Sequence, residues 1–156
     1  MLIKILATFC ALKSGQVKKI RLTSYLYDAR YRRYFSVLRG TIDLEDLLVY
    51  VHGSGFVSIG STPHHSYAKY LKHDSSGRRS SYSNYIKEYY PEDDIVSSQS
   101  NFRDTMNFVE AKYDLVSILI SANASAPGKF TIVDGLHRAA IALALGKINI
   151  KCYIII

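Results

Sequence analysis

The chain has no tryptophan, no paired-cysteine motif and no long hydrophobic run. Without about 18 consecutive apolar residues, no segment is predicted to span a membrane. Its two cysteines, Cys10 and Cys152, stand in separate apolar runs without C-x-x-C spacing. We therefore expect both to be small core residues in a reducing compartment, and their spacing gives no support for a disulfide.

The composition is that of a folded protein. The 156 residues are 48% hydrophobic and 21% charged, which is typical of a globular chain that buries one core. Met1 to Leu12 has only a faint likeness to a signal peptide, because no small-residue cleavage site precedes the lysines that follow. We expect a cytoplasmic protein of the α/β (α+β) class, with residues 1–156 forming a single domain around a small mixed sheet.

Acidic residues are scarce, and the formal net charge is +7, with 20 Lys and Arg against 13 Asp and Glu. Most of the excess lies between Lys13 and Arg39, where eight basic residues accompany Asp28 alone. Such a surface attracts nucleotides, nucleic acid or phosphorylated glycans. A solvated basic helix face explains the same residues without any site.

The N-terminal part is predicted to be mainly helical. Aromatic and apolar residues of 17–38 recur three or four positions apart, which favours an amphipathic helix. Thr41 is expected to cap a second helix over 42–51, with the acids Glu45 and Asp46 in its first turn, where the helix dipole favours negative charge.

Glycine, proline and serine divide the middle of the chain into shorter elements. The pattern predicts a strand over 56–59, a loop over 60–65, helices over 66–72 and 82–90, a surface loop over 74–83, a polar linker over 92–100, and a helix that begins at Asn101 or Asp104 and continues to Leu119. Residues 122–128 are predicted to form a turn.

The segment 129–156 has the clearest pattern. Lys129 to Val133 predicts a buried strand, residues 136–145 predict a helix that ends at Gly146, and residues 148–156 predict a closing strand. Two strands joined through a helix usually lie parallel, with the helix across one face of the sheet.

The turn at Asp134-Gly135 is suited to bind a phosphate. The first amides of a helix have no intrahelical partner, and the helix dipole adds positive charge there. Gly135 allows the backbone to approach closely, while His137 and Arg138 supply side-chain donors at the same end. Beside a phosphate, the carboxylate of Asp134 is useful for holding Mg²⁺ or for taking a proton from an attacking hydroxyl. The combination favours phosphoryl chemistry over passive anion binding.

A purely structural explanation covers the same residues. Asp-Gly is a common turn pair, Asp134 can cap the helix, and Arg138 can pair with a surface acid. A motif this short is only a hypothesis until its surroundings are known.

The stretch Ile132 to Ile155, IVDGLHRAAIALALGKINIKCYII, resembles the D-G-x-H-R helix and following strand of the ParB/sulfiredoxin superfamily. The matching loop of that superfamily binds nucleotide phosphates. Its members include CTP-dependent DNA clamps, sulfiredoxin and ParB-like free serine kinases. The resemblance implies the superfamily's fold, a nucleoside triphosphate such as ATP as cofactor, and Mg²⁺.

The resemblance also implies roles for individual residues. Gly135, Leu136, His137 and Arg138 would bind the nucleotide. Asp134 matches the acidic position of the kinase-like members, so Asp134 and His137 would be catalytic and Asp134 would also bind the metal.

Two departures narrow the activity. Leu136 stands where sulfiredoxin has its reactive cysteine, so reduction of a sulfinic acid is not expected. The DNA clamps carry a G-E-R-R type motif and a downstream helix-turn-helix, whereas this sequence ends with the strand at Ile156, and chromosome partitioning is disfavoured.

Several other residues are weaker candidates. His64, beside His65, is a candidate for a nucleotide contact, although a loop histidine in water is the simpler interpretation, and the pair lacks the H-x-x-x-H spacing of a zinc site. Glu45 and Asp46 could serve as a general base, but their place in a helix's first turn already explains them.

Two basic segments are further candidates for ligand contacts. Arg78 and Arg79 could close over a nucleotide or belong to a basic surface loop. The tyrosines and arginines of 25–39 could stack on bases or sugars, although tyrosines at helical spacing are more often packing residues.

Two functions follow from these observations. The first is an ATP-dependent phosphotransferase that acts on a hydroxyl of a small molecule or glycan. The second is a non-catalytic nucleotide-sensing or nucleic-acid-binding module, in which the basic stretch from Lys13 to Arg39 reaches a polyanion.

Overall fold

The structure, a computed structural model, describes residues 16–21, 34–73 and 81–155, with side chains from residue 39 onward in those ranges. Its seven strands form one sheet in the order β1-β2-β7-β5-β6-β3-β4. The strands are β1 Gln16–Arg21, β2 Tyr34–Asp43, β3 Leu47–Val51, β4 Gly55–Ser58, β5 Ser117–Ala122, β6 Phe130–Asp134 and β7 Asn149–Ile155.

The sheet is mixed, as expected from the sequence. β3 pairs with β6, and β5 pairs with β7, in parallel, while the other neighbouring pairs are antiparallel. Side chains alternate between the two faces: Ile150, Cys152 and Ile154 of β7 are buried, whereas Lys151 between them is exposed. One face of the sheet therefore carries the core.

Four α-helices lie within the described residues: α1 Pro63–Lys72, α2 Ser81–Tyr89, α3 Ile95–Ala111 and α4 Leu136–Ala144. α4 packs on β5 and is flanked by α1 and α3, and α2 contacts both of those helices. The α/β (α+β) class predicted from the sequence is confirmed.

The strand, turn, helix and strand predicted for 129–156 are present as β6, α4 and β7. The expected parallel arrangement of the two strands is wrong. β5 lies between them, antiparallel to β6 and parallel to β7, so β6 and β7 run in opposite directions. The reason is that β5 is formed by Ser117–Ala122, whose first residues, up to Leu119, were predicted to end a helix, so no strand was expected here.

The helices predicted near the N-terminus are wrong where the structure describes the chain. β1 and β2 occupy both ends of 17–38, and residues 22–33 lie outside the described residues. The predicted helix over 42–51 is instead the end of β2, a 3-10 helix at Leu44–Asp46, and β3. In β3 the buried Leu47, Val49 and Val51 alternate with the exposed Tyr50, and pairing with β4 and β6 stabilises this two-residue period.

The helix expected to begin at Asn101 or Asp104 starts earlier. Asp94 caps α3, because its carboxylate accepts hydrogen bonds from the amides of Val96 and Ser97 at 3.2 and 3.0 Å. Residues 95–100 of the predicted linker are therefore helical. α3 ends at Ala111, because the apolar residues after it are needed in β5 at the centre of the sheet.

The remaining elements agree closely with the sequence analysis. β4 and α2 lie where a strand and a helix were predicted, and α1 begins three residues earlier than expected, so that His64 and His65 belong to its first turn and not to a loop. Cys152 is buried and forms no disulfide within the described ranges, from which Cys10 is absent. In the described part of the chain no helix has the length and apolarity needed to cross a bilayer.

Candidate functional site

The junction between β6 and α4 depends on a glycine. Gly135 has φ 97°, a left-handed conformation that side chains rarely adopt. A Cβ at this position would lie 2.7 Å from Cγ2 of Ile118 and 3.0 Å from Nη2 of Arg138. Both the backbone conformation and the lack of space therefore require glycine here.

The N-terminus of α4 has unpaired backbone donors. Its first helical hydrogen bond runs from the amide of Ala139 to the carbonyl of Gly135, at 2.9 Å. Among the described residues no side chain caps the helix, and the amides of Leu136, His137 and Arg138 have no helical partner. Together with the helix dipole, these amides favour an anion.

A cavity of about 1000 Å³ borders this helix end. Its volume is sufficient for a nucleotide or a cofactor of similar size. The cavity is lined by Val49, His64, Asp104, Thr105, Phe108, Ile132, Val133, Asp134, Gly135, Leu136, His137 and Arg138. All the residues of the predicted 134–138 turn, and His64 from α1, therefore meet at one cavity.

Asp134 and Arg138 form an ion pair across the turn. Nη2 of Arg138 lies 2.7 Å from Oδ2 of Asp134, and the side chains are 31% and 38% exposed. The guanidinium has five N–H groups and the carboxylate two oxygens, so this single contact leaves donors on Arg138 and an oxygen on Asp134 for a ligand.

His137 packs its ring into a group of aromatic side chains. We call the five residues His64, Tyr67, Tyr82, Phe102 and His137 the inner cluster. The ring centroid of His137 lies 4.9 Å from that of Phe102 and 5.2 Å from that of His64, and Tyr67 stacks on Tyr82 at 4.9 Å. The imidazole thus forms part of the core as well as of the cavity.

Burial keeps both imidazoles of the inner cluster neutral near pH 7. Burial, and to a lesser degree the charge of Arg138, lowers the pKa of His137 to about 4, although Asp134 opposes the shift. Burial, followed by the charge of His137, lowers the pKa of His64 to about 3. Neither ring can serve as a permanent cation for a phosphate, but each can donate or accept one neutral hydrogen bond.

His64 has an unsatisfied polar atom. Only 7% of its surface is exposed, and its Nδ1 is buried without a hydrogen-bond partner among the residues that the structure describes. A buried polar atom without a partner is costly and is often a sign of a missing ligand or water. His64 also lines the cavity, so the unsatisfied atom belongs to a residue of the same site.

A second wall of the cavity was not predicted from the sequence. α3 packs against α4, and it contributes Asp104, Thr105 and Phe108 to the lining. Asp104 and Phe108 are four positions apart and therefore lie on the same face of the helix. We name these three residues the α3 wall.

A signal for this wall was present in the sequence. The buried stripe of α3 consists of Phe102, Met106 and Val109. Phe108 falls outside the stripe and is 45% exposed. A phenylalanine on the polar side of an amphipathic helix could have marked this surface, but one exposed apolar side chain is common on any protein.

The other candidates do not line the cavity. Asp46 pairs with Nζ of Lys129 at 2.9 Å, and the same ammonium donates to the carbonyl of Glu45. Nδ1 of His65 lies 3.0 Å from the carbonyl of Gly60. Arg78 and Arg79, Cys10, and the segment 22–33 of the basic stretch lie outside the described residues.

The fit to a metal ion is limited to one carboxylate. In the described ranges no group of three or more His, Cys, Asp or Glu side chains could hold a metal. Asp134 lines the cavity together with the first residues of α4. Mg²⁺ in nucleotide sites is commonly bound through one or two carboxylates together with phosphate oxygens and water, so Asp134 fits a nucleotide-bound Mg²⁺ and no protein-only site.

No protein-family model matches the chain, and comparison with curated proteins and with solved structures finds no match either. The ParB/sulfiredoxin-like assignment of residues 132–155 therefore stays a prediction that rests on the motif.

Proposed function

We propose that this protein is an ATP-dependent phosphotransferase that acts on a hydroxyl of a small molecule or glycan. The observation that carries the proposal is the uncapped N-terminus of α4, which opens onto a cavity of about 1000 Å³. An anion-binding helix end, a guanidinium and a carboxylate then belong to one site.

The phosphates would bind to the amides of residues 136–138 and to Arg138. The amides give directed hydrogen bonds, and the N–H groups of Arg138 that do not contact Asp134 can hold two phosphate oxygens at once. Since His64 and His137 are neutral, the positive charge at this end of the cavity comes from Arg138 and the helix dipole.

Asp134 would act on the acceptor. One oxygen of the Asp134 carboxylate does not contact Arg138 and can accept the proton of the acceptor's hydroxyl. The hydroxyl oxygen then bonds to the terminal phosphorus of ATP, and the bond from that phosphorus to the leaving ADP breaks. Mg²⁺, when bound through Asp134 and the phosphates, would supply charge neutralisation. His137 would orient the phosphates through a neutral N–H, which its lowered pKa supports.

The test is Asp134→Asn, which keeps the shape of the side chain and removes its basicity. We expect turnover to fall by about 10²- to 10⁴-fold, the usual contribution of a general base. ATP binding should persist, because the amides and Arg138 remain. Production of ADP with a panel of hydroxyl compounds gives the rate, and calorimetric titration with ATP gives the affinity.

Asp46→Asn is the matched control, because Asp46 also forms an ion pair but lies outside the cavity. It should leave the rate and the affinity unchanged. If Asp134→Asn turns over at the wild-type rate, Asp134 is not the base.

The ion pair of Asp134 also favours one alternative, a non-catalytic nucleotide sensor, because a carboxylate held by Arg138 can serve the turn alone. A sensor would bind ATP without turnover with any acceptor. The nucleic-acid version rests on the basic stretch, most of which lies outside the described residues. It predicts binding to DNA or RNA that weakens steeply with salt.

A further inference from the structure

The two walls of the cavity have opposite chemistry. The end formed by residues 134–138 offers donors, namely the free amides and the guanidinium of Arg138. The α3 wall offers the aromatic face of Phe108 and the carboxylate of Asp104. Asp104 forms no hydrogen bond or ion pair with any other described residue of the cavity lining. A ligand that satisfies both walls carries negative charge at one end and a ring with hydrogen-bond donors at the other.

Phe108 has the properties of a stacking platform. It is 45% exposed on a helix whose apolar stripe is buried elsewhere, and it lines the cavity. Stacking of a base on an aromatic side chain is favourable for any base, because every base has a π-face. Phe108 therefore accounts for the presence of a ring, though not for its identity.

Asp104 adds selectivity. An ionised carboxylate only accepts hydrogen bonds, so it prefers a ring with an amino group to one with a carbonyl at the same place. Its position four residues before Phe108 places both on one helix face, where a base stacked on the phenylalanine can present its edge to the carboxylate.

We infer that the α3 wall is a nucleobase subsite, in which Phe108 stacks on the base and Asp104 accepts a hydrogen bond from its exocyclic amino group. This inference rests on the proposed function, since it assigns the base of the nucleotide whose phosphates meet residues 136–138. It selects amino-bearing bases such as adenine over hypoxanthine.

The experiment compares three probes by calorimetric titration without Mg²⁺ or acceptor: ATP, inosine triphosphate and inorganic tripolyphosphate. Wild-type protein should bind ATP about tenfold more tightly than either of the others. Phe108→Ala should weaken ATP binding about tenfold and leave tripolyphosphate binding unchanged. Val96→Ala, an exposed apolar residue of α3 outside the cavity, should change neither.

Asp104→Ala should bring the ratio of ATP to inosine triphosphate affinity close to one. The ratio is the proper readout, because removal of a negative charge strengthens binding of every anion. Glu110→Ala, which removes an exposed acid from the same helix outside the cavity, should keep the wild-type ratio.

The outcomes separate the two proposals. If wild-type protein binds tripolyphosphate and ATP equally, Phe108→Ala leaves both affinities unchanged, and Asp104→Ala leaves the ratio of ATP to inosine triphosphate affinity unchanged, the nucleobase subsite is wrong while the phosphate site stands. If wild-type protein binds neither probe, and addition of Mg²⁺ does not restore binding, both proposals are wrong.

Discussion

The turn between β6 and α4 has two sides with different physical demands. On its inner side, the ring of His137 packs against His64 and Phe102 and has lost its charge to burial. On its cavity side, Asp134 and Arg138 form an ion pair and remain about one-third exposed. Residues that are neighbours in the motif therefore serve the core and the site separately.

The difference changes the interpretation of the motif. His137 would be a strong phosphate ligand if it were charged, but a neutral imidazole in an aromatic cluster contributes mainly to packing and to one hydrogen bond. The charge available to a ligand lies with Arg138. We therefore expect changes on the inner side of the turn to have large effects on the free energy of unfolding, and changes on the cavity side to have small ones.

The largest expected effect is a loss of stability in mild acid. Above pH 6.5 both imidazoles are neutral in the folded and the unfolded chain. Below pH 6.5 the unfolded chain takes up protons that the folded chain refuses until about pH 4 for His137 and about pH 3 for His64. Each group then lowers the free energy of unfolding by roughly 1.4 kcal/mol per pH unit, so the two together cost roughly 4 kcal/mol at pH 5.

Urea unfolding at pH 7.5 and pH 5.0 measures this loss. In His64→Phe the loss between the two pH values should shrink by roughly 2 kcal/mol, because one of the two imidazoles is gone. His52→Phe, at an exposed position, should retain the wild-type loss. An equal loss in wild type and His64→Phe would show that His64 accepts a proton in the folded chain without penalty.

The second expected effect is a loss of stability on substitution of Gly135, which lies between the two sides of the turn. Gly135→Ala combines a left-handed backbone with a Cβ 2.7 Å from Ile118, and we expect a loss of about 3 kcal/mol in the free energy of unfolding. Gly146→Ala is matched, because Gly146 also has a positive φ, of 81°, but has nothing within 4 Å of the added Cβ. It should lose about 1 kcal/mol.

Urea unfolding at pH 7.5 gives both values, and their difference isolates the steric term. Similar losses in the two variants would mean that the strand β5 can shift away from the turn. In that case the position of Ile118 would not define the geometry of the site.

Helices and strands that depend on local signals could be predicted from the sequence, whereas those that depend on distant partners could not. The unit of β6, α4 and β7 was predicted nearly to the residue, because Gly135 and Gly146 are local signals that stop and start elements regardless of their surroundings. In β3, by contrast, the spacing of Leu47, Leu48 and Val51 also suits a helix. Pairing with β4 and β6 makes this segment a strand, and a single sequence does not show which distant segments a strand will pair with.

The candidate site divides in the same way. The chemistry of the 134–138 turn could be proposed from residue types alone, since amides and charges at a helix end follow from local order. The position of His64 beside His137, and the contribution of the α3 wall to the same cavity, depend on how α1 and α3 pack on α4. Burial of the imidazoles has the same origin, and so the neutral state of His137 could not be read from the motif.

The smallest expected effect is that of the ion pair on the cavity side. A double-mutant cycle with Asp134→Asn and Arg138→Gln should give a coupling energy of about 0.5 kcal/mol, because both side chains are partly exposed and screened by water. The pair of Asp46 and Lys129, at 2.9 Å and with similar exposure, is the matched comparison and should give about the same value.

Tripolyphosphate then distinguishes the two pairs. When it occupies the helix end, Arg138 contacts phosphate while Asp134 repels it, so the coupling of this pair should fall to zero or become unfavourable, whereas that of Asp46 and Lys129 should not change. Coupling energies from urea unfolding with and without the anion provide the measurement. A coupling of several kcal/mol that the anion does not alter would mean that the pair closes the turn and that Arg138 is not available to a ligand.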